Sequence, residues 1–182
     1  MAFDTNKLGR IGDWMQTYVD RKRFAGCSVL VAQGGQEVYF DAKGQRDTDT
    51  GQPFTRDTIA RIYSMTKPIT GMAAMILIDE GKLGLDQPIA ELLPAYSNMM
   101  VQKTYDGSIT DVVPAERPIT VRQLLTHTAG LGYNIVQKGP IAAAYTEQGL
   151  IPGQVSRLPL PGLGRATAVK GLDVFADRLA KM

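Results

Sequence analysis

Apolar residues recur at helical spacing from the start of the chain. Leu8, Ile11, Met15, Tyr18 and Val19 fall on one face of a segment running from Asp4 to about Arg23. Steps of three and four predict an amphipathic helix there. The period then changes. Cys27-Ser28-Val29-Leu30-Val31-Ala32 and Glu37-Val38-Tyr39-Phe40-Asp41 are short β-rich runs, and Gln33-Gly34-Gly35-Gln36 between them predicts a tight hairpin. Thr48 to Asp57 is polar and holds Gly51 and Pro53, so it reads as a loop. Thr58 to Tyr63 leads into a helix beginning at about Ser64, in which Ile69, Met72, Ala73, Met75, Ile76 and Ile78 are apolar nearly all round. A helix of that composition is expected to be buried. Pro68 sits in its first turn, where a missing N–H costs little, and Gly81 is a natural left-handed stop.

Beyond Leu85 the pattern is broken by turn residues. Asp86 to Pro94 reads as a short helical or loop connection, and Tyr96 to Arg117 is polar with several breakers. Within it, Thr104 to Thr110 reads as a small hairpin or an exposed insertion. Thr120 to Thr126 reads as a short helix that Thr120 can cap, with Leu124 and Leu125 turned inward. Gly139 to Gly149 holds room for one more short helix. Gln154 to Thr167 is loose, with Pro159, Pro161, Gly162 and Gly164 close together, and Leu172 to Leu179 is amphipathic. No internal repeat is evident.

Composition narrows the class of protein. The 182 residues are 44% hydrophobic and 21% charged, as expected of one globular domain with a real core. A net charge of +2 gives no basic stripe for nucleic acid or an anionic membrane. The single cysteine, Cys27, excludes an internal disulfide and sits among Val29, Leu30 and Val31, where a buried structural thiol is expected. Residues 1–7 show no apolar leader and no later run is long enough to span a bilayer, so the expected compartment is the cytoplasm.

The chemistry concentrates at Ser64-Met65-Thr66-Lys67. Residues three apart on a helix share a face, so this spacing brings a hydroxyl and an amine within reach. A serine hydroxyl becomes a nucleophile when an adjacent base takes its proton. A lysine can serve as that base where burial or neighbouring positive charge lowers its pKa. At a helix N-terminus, unpaired backbone N–H groups can also stabilise an oxyanion. Four letters alone also fit a surface helix with a solvated lysine, but the apolar run that follows argues against that. Other chemistries fare worse. His127 is the only histidine, and no serine lies in a G-x-S-x-G elbow. One His and one Cys cannot supply a usual zinc ligand set, so no metal is expected. The glycines match neither a phosphate loop nor a dinucleotide fingerprint, and no cofactor is expected.

Two blocks in order carry a family resemblance. Tyr63-Ser64-Met65-Thr66-Lys67-Pro68-Ile69-Thr70, followed by Glu80-Gly81-Lys82-Leu83-Gly84-Leu85-Asp86-Gln87-Pro88-Ile89, resembles the serine β-lactamase-like superfamily. Ile119-Thr120-Val121-Arg122-Gln123-Leu124-Leu125-Thr126-His127-Thr128-Ala129-Gly130-Leu131 resembles a second block of that superfamily. The match is closest to the class C β-lactamase-like carboxylesterases, called family VIII, and covers roughly residues 10–135. The resemblance implies an α/β (α+β) fold, an antiparallel sheet flanked by helices plus a mainly helical region. It places the helix, hairpin and nucleophile helix in residues 1–85 and the start of the helical region in residues 86–182.

The same resemblance implies a serine hydrolase acting on carboxylic esters through an acyl-enzyme. Ser64 would be the nucleophile, Lys67 the base and Tyr133 a substrate-binding residue. It also implies a catalytic tyrosine in a Y-x-N or Y-S type motif and a late strand with a K-T-G or W-x-G type motif. Neither lies in this chain: Tyr133-Asn134 has the wrong spacing, and Tyr145 precedes Thr146-Glu147. Residues 1–182 are therefore expected to be the N-terminal part of the fold, with a second chain carrying the C-terminal half as partner. A β-lactamase, a D-alanyl peptidase, an acyltransferase, or a catalytically incomplete binding or scaffold fragment stand as alternatives.

Overall fold

The computed structural model describes residues 3–133, 136–150 and 171–182. The chain forms two compact units, Met1–Arg61 and Ile62–Met182.

The first unit opens with α1 (Thr5–Asp20), capped by Asp4, whose carboxylate accepts from the N–H groups of Asn6 and Lys7. An aspartate at this position satisfies donors that the first turn leaves unpaired. Leu8 and Met15, two turns apart, are its buried large apolar residues, with Ile11, Tyr18 and Val19 half-buried beside them. The helix ends three residues short of the expected Arg23. Lys22 turns left-handed at φ +54, and the Arg23 N–H returns to the Tyr18 carbonyl at 2.9 Å. Gly12 lies where Tyr39 and Asp41 of the sheet approach the helix, so a Cβ there would collide with the Asp41 carboxylate.

The hairpin forms as expected. β1 (Gly26–Gln33) pairs antiparallel with β2 (Gln36–Asp47), with Leu30 opposite Phe40 and Gln33 opposite Gln36. Gly34 and Gly35 take φ of +59 and +77, the double left-handed turn that matches the strand twist. β2 runs on past Asp41, paired with β1 as far as Gly44 and then with β3 (Gln52–Pro53) at Gln45 and Asp47. The expected loop 48–57 therefore contains a two-residue strand. Arg56 anchors its far end, holding Glu37 through two bonds of 2.7 and 2.8 Å and lying 3.9 Å over the Phe40 ring. The sheet order is β1-β2-β3, which leaves β1 on an edge among the described residues. That strand has no charged residue and no proline, the usual defences of an edge. Cys27 is partly buried there, and burial, with Asp41 nearby, pushes its thiol pKa up.

The second unit begins with a tight turn over Tyr63–Met65 that runs straight into α2 (Thr66–Asp79). Gly81 at φ +70 ends the helix, with Lys82 N–H on the Leu77 carbonyl at 2.8 Å and Gly81 N–H on that of Ile78 at 3.0 Å. The expected burial of this helix is not found. No residue of α2 is buried, and Ile69 and Met72 are 62% and 64% exposed. Only Ile78, near its C-terminal end, packs against the core of Ile89, Tyr96, Ile119 and Val121.

That core is stitched by backbone. Ile89 N–H meets the Ile119 carbonyl at 2.9 Å, and Val121 and Arg122 N–H groups reach Gln87 and Leu85. Arg122 also grips Asp86 through two bonds of 2.6 and 2.7 Å, which holds the Asp86 carboxyl below its ordinary pKa. α3 (Val121–Leu125) starts in a complete capping box. Thr120 Oγ1 accepts from Gln123 N–H while Gln123 Oε1 accepts from Thr120 N–H. β4 (Met100–Gln102) and β5 (Val112–Pro114) form a second hairpin, and Thr104 to Thr110 is its connecting loop. α4 (Gly139–Glu147) and α5 (Leu172–Leu179) share a smaller core of Ile141, Tyr145, Leu150, Phe175 and Leu179. Arg178 caps the end of α4 by donating to the Gln148 carbonyl at 2.7 Å. The stretch Gln154 to Thr167 lies outside the described residues.

Candidate active site

The spacing read from the sequence becomes a contact. Lys67 Nζ lies 2.9 Å from Ser64 Oγ. The geometry arises from two successive elements. Ser64 is in the tight turn and Lys67 is the second residue of α2, so one continuous right-handed path sets them three residues apart on one face. Met65 N–H closes the turn on the Ile62 carbonyl at 2.9 Å, and Thr66 N–H bonds the Tyr63 carbonyl. The Ser64 N–H has no hydrogen-bond partner among the described residues. It is thus available to an incoming oxygen, beside the positive end of the α2 dipole.

Tyr63, directly before the serine, has φ +45. Tyrosine rarely adopts left-handed backbone, and nothing in its residue type signals it. This feature was not legible in the sequence. Ser64 and Lys67 are both exposed. The described residues thus form the hydroxyl–amine pair without the dry surroundings that activate such a pair.

The remaining sequence candidates fall elsewhere. Tyr133 is 43% exposed, and its N–H donates to Gln137 Oε1 at 2.8 Å; no hydrogen bond joins it to Ser64 or Lys67. Tyr145 is buried, which pushes its phenol pKa up, and its hydroxyl bonds the backbone of Gly132. His127 has φ +58 and ends α3, with Thr128 N–H on the Gln123 carbonyl at 2.9 Å. Its backbone thus has a helix-terminating task, which accounts for its place without catalysis. A groove of about 530 Å³ lined by residues 96–100 and 114–118 contains neither Ser64 nor Lys67.

Comparison with known proteins identifies the family. A family model described as Beta-lactamase matches residues 11–172, and the chain belongs to that family. Protein Rv1367c of Mycobacterium tuberculosis is 42% identical over 126 residues, covering 69% of this chain and 31% of the relative. Esterase EstB of Burkholderia gladioli is 36% identical over 116 residues, covering 64% of this chain and 27% of the relative. Among solved structures, EstCE1, a hydrolase with promiscuous acyltransferase activity, superimposes with a TM-score of 0.71 at 30% identity. That match covers 95% of this chain and 39% of the other. The chain thus spans about a third of the length of the curated relatives it matches. The mixed α/β fold with antiparallel sheets expected from the sequence is the fold observed. The relatives place the chain in a β-lactamase-like superfamily of hydrolases and acyltransferases.

Proposed function

We propose that this chain supplies the nucleophile half of a carboxylesterase-type serine hydrolase. The observation that carries the reading is the 2.9 Å contact between Lys67 Nζ and Ser64 Oγ. A neutral Lys67 amine accepts the Ser64 proton as Oγ attacks the ester carbonyl, forming the C–Oγ bond and an oxyanion that the free Ser64 N–H can receive. The oxyanion then collapses, the carbon–alkoxy bond breaks, and the alcohol leaves with the proton held by Lys67. Water repeats the sequence on the acyl-enzyme and releases the acid. Where an alcohol replaces that water the product is a new ester, so hydrolysis and acyl transfer share one intermediate. Ester chemistry of this kind is supported by two relatives, EstB being an esterase and EstCE1 a hydrolase with promiscuous acyltransferase activity. Tyr133 is proposed to contact the substrate from the loop that follows α3.

The site as described is exposed, and the proposal includes what encloses it: a second chain carrying the C-terminal half of the fold. Three observations support this. The apolar face of α2 is uncovered, β1 presents an edge with neither charge nor proline, and the matched 126 residues make up only 31% of the relative Rv1367c. In this reading residues 1–85 belong to the α/β part and residues 86–182 begin the mainly helical part. A cytoplasmic site of action is part of the proposal and rests on the single free cysteine.

A serine-directed fluorophosphonate tests the core of it. The assembled protein is expected to label at Ser64, and Ser64→Ala to lose the label. Failure of the parent protein to label would sink the reading. Turnover of short-chain p-nitrophenyl esters against a chromogenic cephalosporin then separates esterase from β-lactamase.

A further inference from the structure

The chain enters its nucleophile through a backbone conformation that side chains rarely take. Ile62 lies at φ −91 and ψ −4, and Tyr63 reverses the sign at φ +45. From Met65 onward the backbone is right-handed, at φ −67 and then −64 for Thr66. Met65 N–H on the Ile62 carbonyl closes a four-residue turn with Tyr63 at its first central position. Turns with positive φ at that position ordinarily place glycine, asparagine or aspartate there. A tyrosine persists in such a conformation only where the surrounding structure fixes it, and such residues cluster at functional sites. The ring offers no compensation through burial, being 65% exposed.

The consequence falls on the next residue. The sign change at Tyr63 swings the chain so that Ser64 joins the turn feeding α2. Its Oγ then meets Lys67 Nζ, while its N–H is left without a partner among the described residues. An extended residue at position 63 would send Ser64 off along a different path and separate hydroxyl, amine and N–H.

We infer that Tyr63 is a positioning residue for Ser64, acting through its left-handed backbone and not through its ring. This rests on the reading of Ser64 as nucleophile. The rank order of substitutions by tolerance of left-handed φ is the signature of such a role. Glycine and asparagine tolerate it, alanine less, and β-branched valine least.

The test measures, on the assembled protein, the limiting rate of fluorophosphonate labelling and the half-saturating probe concentration separately. Tyr63→Gly, Tyr63→Asn and Tyr63→Ala are expected to lose no more than about threefold in limiting rate, and the β-branched Tyr63→Val about 100-fold. The last is the scale of a misplacement of about 1 Å. Half-saturation should stay within about twofold throughout, which a loss of ring contact with the probe would not allow. If Tyr63→Val fails to fold by near-ultraviolet circular dichroism, Tyr63→Thr, a second β-branched variant, carries the test in its place. Equal rates across the series, or Gly, Asn and Ala falling as far as the β-branched variants, would overturn the inference. Ser64→Ala separates this from failure of the parent reading: if it still labels, the nucleophile is wrong. If it is dead while the series is flat, only the role of Tyr63 is wrong.

Discussion

Ser64 and Lys67 make opposite demands on their surroundings. A serine at a helix entrance needs access to substrate, whereas a lysine base needs a setting that favours the neutral amine. The 2.9 Å contact satisfies the geometric part of that demand. Replacement of Lys67 by methionine removes the base and keeps the stem, and is expected to lower kcat for ester hydrolysis by about 10²–10⁴, the range of positioned general bases. Lys67→Arg should fall as far, because a guanidinium does not give up its proton. Stopped-flow or steady-state assay of both variants checks this; full turnover in Lys67→Arg would remove Lys67 from the base role. The spacing of the pair was legible in the sequence because helical geometry is fixed by residue count. The left-handed Tyr63 was not, since it depends on how the turn before α2 closes and not on any preference of tyrosine.

Local chemistry decides most elements here, and where it decides, the sequence was readable. Asp4 caps α1, Gly34-Gly35 turns the hairpin, Gly81 stops α2 and Thr120 caps α3, each through an interaction within a few residues. The misreadings concern how far a strand pairs and what covers a helix, neither of which composition encodes. β2 extends to Asp47, paired with β1 as far as Gly44 and with β3 beyond it, and α2 is exposed although its composition reads as buried. Thr120→Ala should cost about 1 kcal/mol of stability, measured by urea unfolding of the assembled protein, because Gln123 N–H loses its acceptor. The pairing of Asp86 with Arg122 should show a pH signature. Arg122 lowers the Asp86 pKa in the folded state, so the stabilisation is present above the unfolded value of about 3.9 and is lost as pH falls through the lower folded value. Asp86→Asn should therefore lower the urea midpoint at pH 7, and the gap to the parent should close below about pH 3.9. A gap constant across that range would mean the ion pair does not stabilise the fold.

Across the whole molecule, the family assignment and the exposed apolar surface bear on each other. The chain belongs to the Beta-lactamase family and covers about a third of the length of its curated relatives. No described helix is long and apolar enough to cross a membrane. Burial of the apolar face of α2 against a partner would exclude water from that face while the β1 edge gained a strand. Purified by itself, the chain is expected to show no cooperative unfolding transition and no esterase turnover. Both should appear when it is co-expressed with the proposed C-terminal half. Full turnover by the isolated chain would contradict that dependence. The two sequence blocks around Ser64 and His127 were enough to place the family, because the turn, helix and cap they encode are local.

The central claim is that Ser64 forms an acyl ester with substrate. Rapid acid quench of the assembled protein with a slowly hydrolysed ester, followed by intact-mass and peptide mass spectrometry, tests it most directly. The expected result is an added acyl mass on the peptide containing Ser64, absent in Ser64→Ala. Ester turnover in Ser64→Ala at the parent rate, or an acyl group found on any other residue, would contradict it.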